Sequence, residues 1–151
     1  MKPCIRADLE RYYACWLSAE RLYDQWAQAH GVSTHELFVL CSLTHQAGST
    51  TQATISKEWH IPKQTVNTVL KKLERQGMAW LEPDPRDRRG KLARLTEKGR
   101  HYAQPLCHAL ERLEEQAMAH MTAEQRAGLL DGYETFLNAF AAALHKEGEN
   151  E

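Results

Sequence analysis

The chain has 151 residues, of which 42% are hydrophobic and 26% charged, and its formal net charge is −1. This length and composition are typical of one soluble globular domain whose core needs neither disulfides nor a metal. No apolar run approaches the roughly 18 residues of a membrane span, and residues 1–8 lack the apolar stretch of a secretory signal. We therefore expect a cytoplasmic protein with no membrane partner.

Basic residues are concentrated in the middle of the chain. Residues 57–100 contain 12 of the 19 Lys and Arg but only 6 of the 20 Asp and Glu, so the remainder is acidic. A basic segment in an otherwise acidic chain favours a polyanionic partner that docks there. The alternative is a solvated surface that happens to be basic.

Two helices are predicted before this basic segment. Residues 8–30 repeat apolar side chains at helical spacing and are followed by a glycine, which is typical of a helix end. Ser33 or Thr34 is predicted to cap a second helix, with Glu36 in its first turn, where an acidic group favours the helix dipole. We expect this second helix to end near Gly48.

The basic segment begins with two helices separated by a short turn. The first is predicted over residues 52–60, capped by Thr50 or Thr51. The second opens at Pro62, where the missing N–H is harmless, and ends at Gly77. Such a pair is typical of a helix-turn-helix. The predicted buried stripe of the second helix consists of Val66, Val69, Leu70 and Leu73.

A β-hairpin is predicted next. Residues 78–82 and 91–95 have the pattern of short strands, and the intervening residues 83–90 are rich in Pro, Asp and Gly. We therefore expect residues 83–90 to form the hairpin tip, which would be the wing of a winged helix.

Two long helices complete the chain. Thr96 is predicted to cap a helix that runs towards Met121 and is interrupted or bent near Pro105. Thr122 and Gln125 have the spacing of a capping box, which predicts the start of the last helix.

The pattern Asp87-x-Arg89-x(5)-Leu95-Thr96-x-x-Gly99 resembles the MarR family of bacterial regulators, named for multiple antibiotic resistance. The stretch around Gln64-Thr65-Val66, continued by Leu73 to Met78, is similar to that family's recognition helix and its exit into the wing. The order of elements matches across nearly the whole chain. The resemblance implies a mainly α fold: a winged helix-turn-helix with a small β-hairpin wing and N- and C-terminal dimerisation helices.

The resemblance also implies a division of the chain. We expect one domain over residues 1–151. Its parts are dimerisation helices at 1–32 and 100–146, a DNA-binding lobe at 33–99 and a charged tail at 147–151.

A helix that enters the major groove buries one face and presents polar and basic residues on the other. Gln64 and Asn67 can bond bidentately to adenine, so we predict that they read bases. Thr68 lies on the same outward face. The side chains predicted to meet phosphates are Lys63, Thr65, Lys71 and Lys72.

The wing is expected to contribute arginines. The resemblance implies that Arg89 contacts DNA and that Asp87 pairs with an arginine to fix the turn. Arg86 and Arg88 flank them and are predicted to reach phosphates or the minor groove, whose negative potential suits arginine. The alternative is that the Asp87–Arg89 pair merely stabilises the hairpin.

The implied function is that of a ligand-responsive repressor that binds double-stranded DNA at a pseudo-palindromic operator as a homodimer. A two-fold dimer reads two half-sites about one helical turn apart, whereas one winged helix has few contacts. Trp16, Trp26, Tyr133 and Phe136 would serve the dimer; the alternative places them in the protomer's own core.

The family often senses small phenolic or aromatic molecules between the dimer arm and the DNA-binding lobe. Tyr12, Trp16, His35 and Phe38 come from the segments that would line such a pocket. The alternative is that these aromatic residues are plain core.

Other sensing chemistries match less well. The four cysteines contain no Cys-x-x-Cys pair, and Cys15 lies too close to the second helix to match thiol-sensing relatives. We expect a buried, unreactive Cys15. Zinc-sensing relatives place a histidine two residues after His35, where this chain has Leu37, so no metal site is predicted. No cofactor is predicted either.

No enzyme motif is found in the sequence, neither a Gly-rich phosphate loop nor a nucleophile beside a base, so we do not expect an enzyme. The main alternative to a DNA reader is an antirepressor of the same fold that works by protein contact.

Overall fold

The computed structural model describes residues 3–45, 49–85 and 87–148, without the side chains of residues 3, 4 and 87–89. Six helices and three strands lie in these ranges. They are α1 (Pro3–Ala29), α2 (Thr34–His45), β1 (Thr50–Thr51), α3 (Gln52–Trp59), α4 (Lys63–Arg75), β2 (Ala79–Asp84), β3 (Asp87–Leu95), α5 (Glu97–His120) and α6 (Ala123–Gly148). The predicted mainly α winged-helix architecture is confirmed.

The chain forms two compact units, residues 1–110 and 111–151. The first unit contains α1 to α4, the three strands and the first part of α5. The second unit contains the rest of α5 and all of α6.

Side-chain caps start α2 and α3, as the sequence predicts. The backbone N–H of Glu36 donates to Ser33 Oγ over 3.1 Å, so Ser33, not Thr34, caps α2. The N–H of Thr54 donates to Thr51 Oγ1 over 3.0 Å, so Thr51 caps α3. Each cap satisfies a backbone donor that has no partner inside its helix.

The capping box at the start of α6 is confirmed in both directions. Thr122 N–H donates to Gln125 Oε1 over 2.9 Å, and Gln125 N–H donates to Thr122 Oγ1 over 3.2 Å. These two bonds end the preceding turn and set the direction in which α6 leaves it.

The core of the first unit lies beneath the helix-turn-helix. Leu37 and Leu40 of α2, and Ile55 of α3, are fully buried. The predicted stripe of α4 is buried against these side chains and consists of Val66, Val69, Leu70 and Leu73. Burying each such aliphatic side chain contributes about 1.5–3 kcal/mol, so α4 is held firmly by one face.

The three strands form one antiparallel sheet in the order β1-β3-β2, with Ala79 opposite Leu95. The hairpin is longer than predicted: β2 continues to Asp84 and β3 begins at Asp87, so the expected tip over residues 83–90 was wrong. Pairing continues past Pro83 to Asp84, which lies opposite Asp87, and the register shift between Pro83 and Asp84 accommodates the proline at an irregularity.

Helix α5 continues through Pro105, so of the two predicted outcomes, an interruption or a bend, the interruption was wrong. Proline cannot donate the usual hydrogen bond to the carbonyl four residues earlier, which belongs to His101. Both Pro105 and His101 are exposed, so water can satisfy that carbonyl.

The pattern Leu95-Thr96-x-x-Gly99 fastens the start of α5 to the exit of α4. Thr96 Oγ1 donates to the Gly77 carbonyl over 2.7 Å, and Thr96 N–H donates to the Met78 carbonyl over 2.9 Å. The same hydroxyl accepts from Gly99 N–H over 3.0 Å, which makes Thr96 the predicted cap. A Cβ at Gly99 would lie 1.9 Å from the Met78 carbonyl oxygen, so this approach requires glycine.

We predict that Gly99→Ala destabilises the protein by about 3 kcal/mol or more, because backbone rather than a flexible side chain must move to admit the methyl group. Urea denaturation at fixed protein concentration measures the change. Gly128→Ala in α6 is the matched control. A Cβ there meets nothing within 4 Å, and alanine in a helix should stabilise by about 0.5–1 kcal/mol. Equal effects of the two substitutions would contradict the close-packing explanation.

Candidate nucleic-acid interface

One face of α4 is free of core contacts. Lys63, Gln64, Thr68 and Lys71 are exposed there, while Thr65, Asn67 and Lys72 are partly buried. The side chains predicted to touch DNA from this helix therefore differ in how far they stand out from the surface. Gln64 is the more accessible of the two predicted base readers.

The first turn of α4 has no side-chain cap. Pro62 occupies the N-cap position and has no side-chain acceptor, although its carbonyl accepts from Val66 N–H over 3.1 Å. Uncapped first-turn N–H groups beside Lys63 suit a phosphate oxygen. The Gln52 side chain donates to the Lys63 carbonyl, which fixes this turn of α4 to α3.

The Thr68 hydroxyl is engaged within its own helix. Its Oγ1 donates to the Gln64 carbonyl over 2.9 Å. The hydroxyl proton is therefore committed, and what Thr68 offers outward is a methyl group and an oxygen acceptor.

Lys72 differs from its neighbour Lys71 in having an ion-pair partner. Lys72 Nζ lies 2.6 Å from Glu36 Oε2, and the Glu36 side chain is only 7% exposed. This ion pair links α4 to α2. The sequence analysis did not predict it, because a Glu in the first turn of a helix is already explained by the helix dipole. A phosphate contact by Lys72, as predicted, would compete with this carboxylate.

A groove of about 390 Å³ separates the amino ends of α3 and α4 from the wing. Lys63 and Lys91 stand on its two sides. Its remaining lining residues are Thr51, Gln52, Ala53, Asp84 and Gly90. Two ammonium groups facing one groove are suited to the backbone of a nucleic acid.

The side chains predicted to make the wing contacts lie outside the described part of the chain. Arg86 lies outside the described residues, and so do the side chains of Asp87, Arg88 and Arg89, whose backbone belongs to β3. The DNA contacts of the three arginines and the pairing of Asp87 stay predictions. Below the tip, Arg94 pairs with Glu82 across the strands at 3.1 Å.

A second cavity, of about 480 Å³, lies among α1, the start of α2 and the end of α3. Of the predicted pocket residues, His35 and Phe38 line it, whereas Tyr12 and Trp16 do not. Tyr23 and Trp59 line it instead. The ring of Phe38 stacks on that of Trp59, with centroids 4.6 Å apart and planes 7° apart.

The cysteines and histidines are the other side chains that the sequence offers for sensing. The expectation that Cys15 is buried was wrong: Cys15 is exposed, while Cys41 and Cys107 are buried. Helical spacing alone did not separate the core-facing and outer sides of α1. Within the described ranges, no group of three or more His, Cys, Asp or Glu side chains is placed to hold a metal ion.

Comparisons with known proteins agree with this geometry. A sequence profile of the MarR family matches residues 30–90, which carry the helix-turn-helix and the hairpin tip. The uncharacterized HTH-type transcriptional regulator YdgJ of Bacillus subtilis is 34% identical over 101 residues, or 67% of this chain and 61% of that protein. The chain belongs to the MarR family.

Solved structures of MarR-family proteins share the fold. The regulator NMB1585 of Neisseria meningitidis superposes with a TM-score of 0.76 at 25% identity, covering 93% of this chain and 98% of that one. MepR of S. aureus, solved as a complex with DNA, gives a TM-score of 0.72 at 20% identity, covering 85% and 97%. The match to YdgJ spans about three fifths of that relative's length.

The family signature acquires a structural meaning here. In this MarR-family chain, the pattern Leu95-Thr96-x-x-Gly99 joins the exit of α4 to the start of α5 through hydrogen bonds. None of the helices among the described residues is long and apolar enough to cross a membrane.

We predict that Lys72→Met destabilises the protein by about 2 kcal/mol or more, because it leaves the carboxylate of Glu36 buried without its partner. Lys71→Met removes the same group from the adjacent, exposed position and should change stability by about 0.5 kcal/mol at most. Urea denaturation compares the two. Equal effects would show that the Glu36 bond does not hold α4 in place.

Proposed function

We propose that this MarR-family chain is a DNA-binding transcriptional regulator that reads a pseudo-palindromic operator as a homodimer in the cytoplasm. The observation that carries the proposal is the outer face of α4: polar and basic side chains on a helix anchored to the core by its other face. MepR, which shares the fold, is known in complex with DNA.

The side chains of α4 are proposed to contact either bases or phosphates, according to their chemistry. Gln64 and Asn67 carry amides that can donate to and accept from adenine in the major groove. Lys63 and Lys71 are exposed cations about two turns apart on the helix, and they position it through phosphates. Lys91 across the groove extends the phosphate-binding surface to the wing.

Homodimerisation is supported by the apolar side of α6. Its large side chains are 37–53% exposed, and the rings of Phe136 and Phe140 lie 5.9 Å apart along one side of the helix. The stripe consists of Leu129, Leu130, Tyr133, Phe136, Leu137, Phe140 and Leu144. An exposed apolar stripe of this size favours burial against another chain.

The residues proposed for the dimer divide into two groups. Trp16, Tyr133 and Phe136 are exposed, so the alternative that they form the protomer's own core was wrong for these three. Trp26 packs against the core of the first unit, where that alternative was right.

We further propose that a small aromatic effector binds the cavity formed by α1, α2 and α3, and that the unliganded dimer represses transcription by blocking polymerase. The cavity volume is within the usual range for small-molecule sites. The effector acts by binding one arrangement of the recognition helices better than another.

We predict that Arg89→Ala weakens binding to operator and scrambled DNA alike by about tenfold and lowers the salt slope by about 1, because a wing arginine meets phosphates or the minor groove. Asn67→Ala should instead lose about 1–3 kcal/mol of discrimination between the two DNAs. Fluorescence anisotropy over a salt series, with DNA from upstream of the gene, measures both.

Arg11→Ala is the control for loss of one arginine, since Arg11 lies exposed on α1. If Arg89→Ala behaves like this control, the wing is not a DNA contact. If Asn67→Ala keeps the full sequence preference, Asn67 does not read bases. A folded wild-type dimer that binds neither DNA at low salt favours the antirepressor alternative.

We predict that Phe140→Lys raises the dimer dissociation constant by at least about a hundredfold, because two-fold symmetry introduces the buried charge twice. Asn138→Lys places the same charge on the opposite side of α6 and should leave the dimer intact. Sedimentation equilibrium measures both, and unchanged association of the Phe140 variant would contradict the proposed interface.

A further inference from the structure

The cavity among α1, α2 and α3 combines an aromatic wall with two acidic side chains. Tyr23, Phe38 and Trp59 form the wall, with the Tyr23 and Phe38 rings 5.7 Å apart edge to face. Glu20 and Asp24 border it from α1. No Lys or Arg is among the described residues that line it.

The two carboxylates lie on the same side of α1. Residues four apart on a helix are neighbours on its surface, so Glu20 and Asp24 present a pair of negative charges. Asp24 accepts a hydrogen bond from Thr34 Oγ1 at the start of α2, which fixes its carboxylate at the edge of the cavity. A neutral hydroxyl orients this charge without cancelling it.

The other titratable groups that border the cavity are the imidazoles of His35 and His60 and the Tyr23 phenol. His60 is held in place by the backbone, since it ends α3 in the left-handed conformation with φ 50°. The lining therefore contains two carboxylates, two imidazoles and one phenol, and no Lys or Arg among the described residues.

We propose that this cavity selects a cationic aromatic effector: a flat ring system with a protonated amine, in contrast to the phenolic ligands that the family often senses. The proposal rests on the proposed role of the cavity as the effector site and names the chemical class of its ligand. The amine pairs with Asp24 and Glu20, and the ring packs beside Tyr23, Phe38 and Trp59.

Charge decides between ligands of the same shape. A carboxylate in the position of the amine would face two carboxylates of like charge with no lining Lys or Arg to compensate, whereas an ammonium gains charge-assisted hydrogen bonds. Aromatic faces also attract a cation and offer an anion no equivalent.

The cavity is placed to influence the recognition helix. His35, at its edge, precedes Glu36, whose carboxylate holds Lys72 of α4. The cavity also borders the end of α3, which is followed directly by α4. A ligand that shifts the first turn of α2 therefore acts one residue from the ion pair that links α2 to α4.

Tryptamine and indole-3-propionate test the proposal, because they share the indole ring and chain length and differ in the terminal charge. Isothermal titration calorimetry on the full-length protein should show tryptamine binding at least about tenfold more tightly. Asp24→Asn and Glu20→Gln should each weaken tryptamine binding several-fold and leave indole-3-propionate binding unchanged or improved. Glu10→Gln removes the same charge elsewhere on α1 and should change neither.

Equal affinity for the two probes, preference for the propionate, or no binding of tryptamine would overturn the proposal. So would a Glu10→Gln effect as large as that of Asp24→Asn. DNA anisotropy on the same preparation separates this failure from failure of the proposed function. Intact DNA binding with no charge preference overturns the ligand class alone. Charge preference without DNA binding supports the ligand class and contradicts the regulator.

Discussion

The close approach of Gly99 to the Met78 carbonyl is the constraint on which the helix-turn-helix and the wing depend. Helix α4, the wing and α5 all meet there: Thr96 donates to the carbonyls of Gly77 and Met78, and its hydroxyl accepts from Gly99 N–H. Lys98 adds a bond from its Nζ to the Gln76 carbonyl over 2.8 Å, a cation at the carboxyl end of α4. The direction of the wing relative to α4 is therefore set by hydrogen bonds to backbone groups at the exit of α4 and by the close approach of Gly99.

Three further contacts fix the position of helix α4. Its apolar stripe is buried, Gln52 of α3 bonds to the carbonyl of its first residue, and Lys72 pairs with Glu36 of α2. Such anchoring leaves the outer face free to be polar, because the helix does not need that face for stability. The arrangement explains how a small lobe can present the amides of Gln64 and Asn67, the proposed base readers, in a fixed orientation.

Local signals predicted most of the fold. The caps at Ser33, Thr51, Thr96 and Thr122 and the buried stripe of α4 follow from interactions within a few residues, and all were confirmed. The sequence pattern did not show the length of the hairpin, because the register shift that extends it depends on pairing across the strands. Pro105 does not interrupt α5, as one of the predictions had it, because water can replace the hydrogen bond lost at the exposed His101 carbonyl.

The missed features of the site depend on contacts between distant segments. Glu36 and Lys72 are 36 residues apart, and Trp59 meets Phe38 only when α3 folds onto α2. Cys15 was misplaced because an apolar helix face looks the same whether it covers a core or stays exposed in the protomer. The sequence therefore predicted which residue types the site contains, whereas the residues that they contact were found only in the structure.

Selection of bound duplexes from a random DNA pool by the full-length dimer tests the central proposal most directly, since it requires no knowledge of the operator. Two α4 helices related by a two-fold axis should enrich an inverted repeat whose half-site centres lie about one helical turn apart. Enrichment of no sequence over the starting pool at low salt would contradict the assignment of α4 and the wing as a sequence-reading surface.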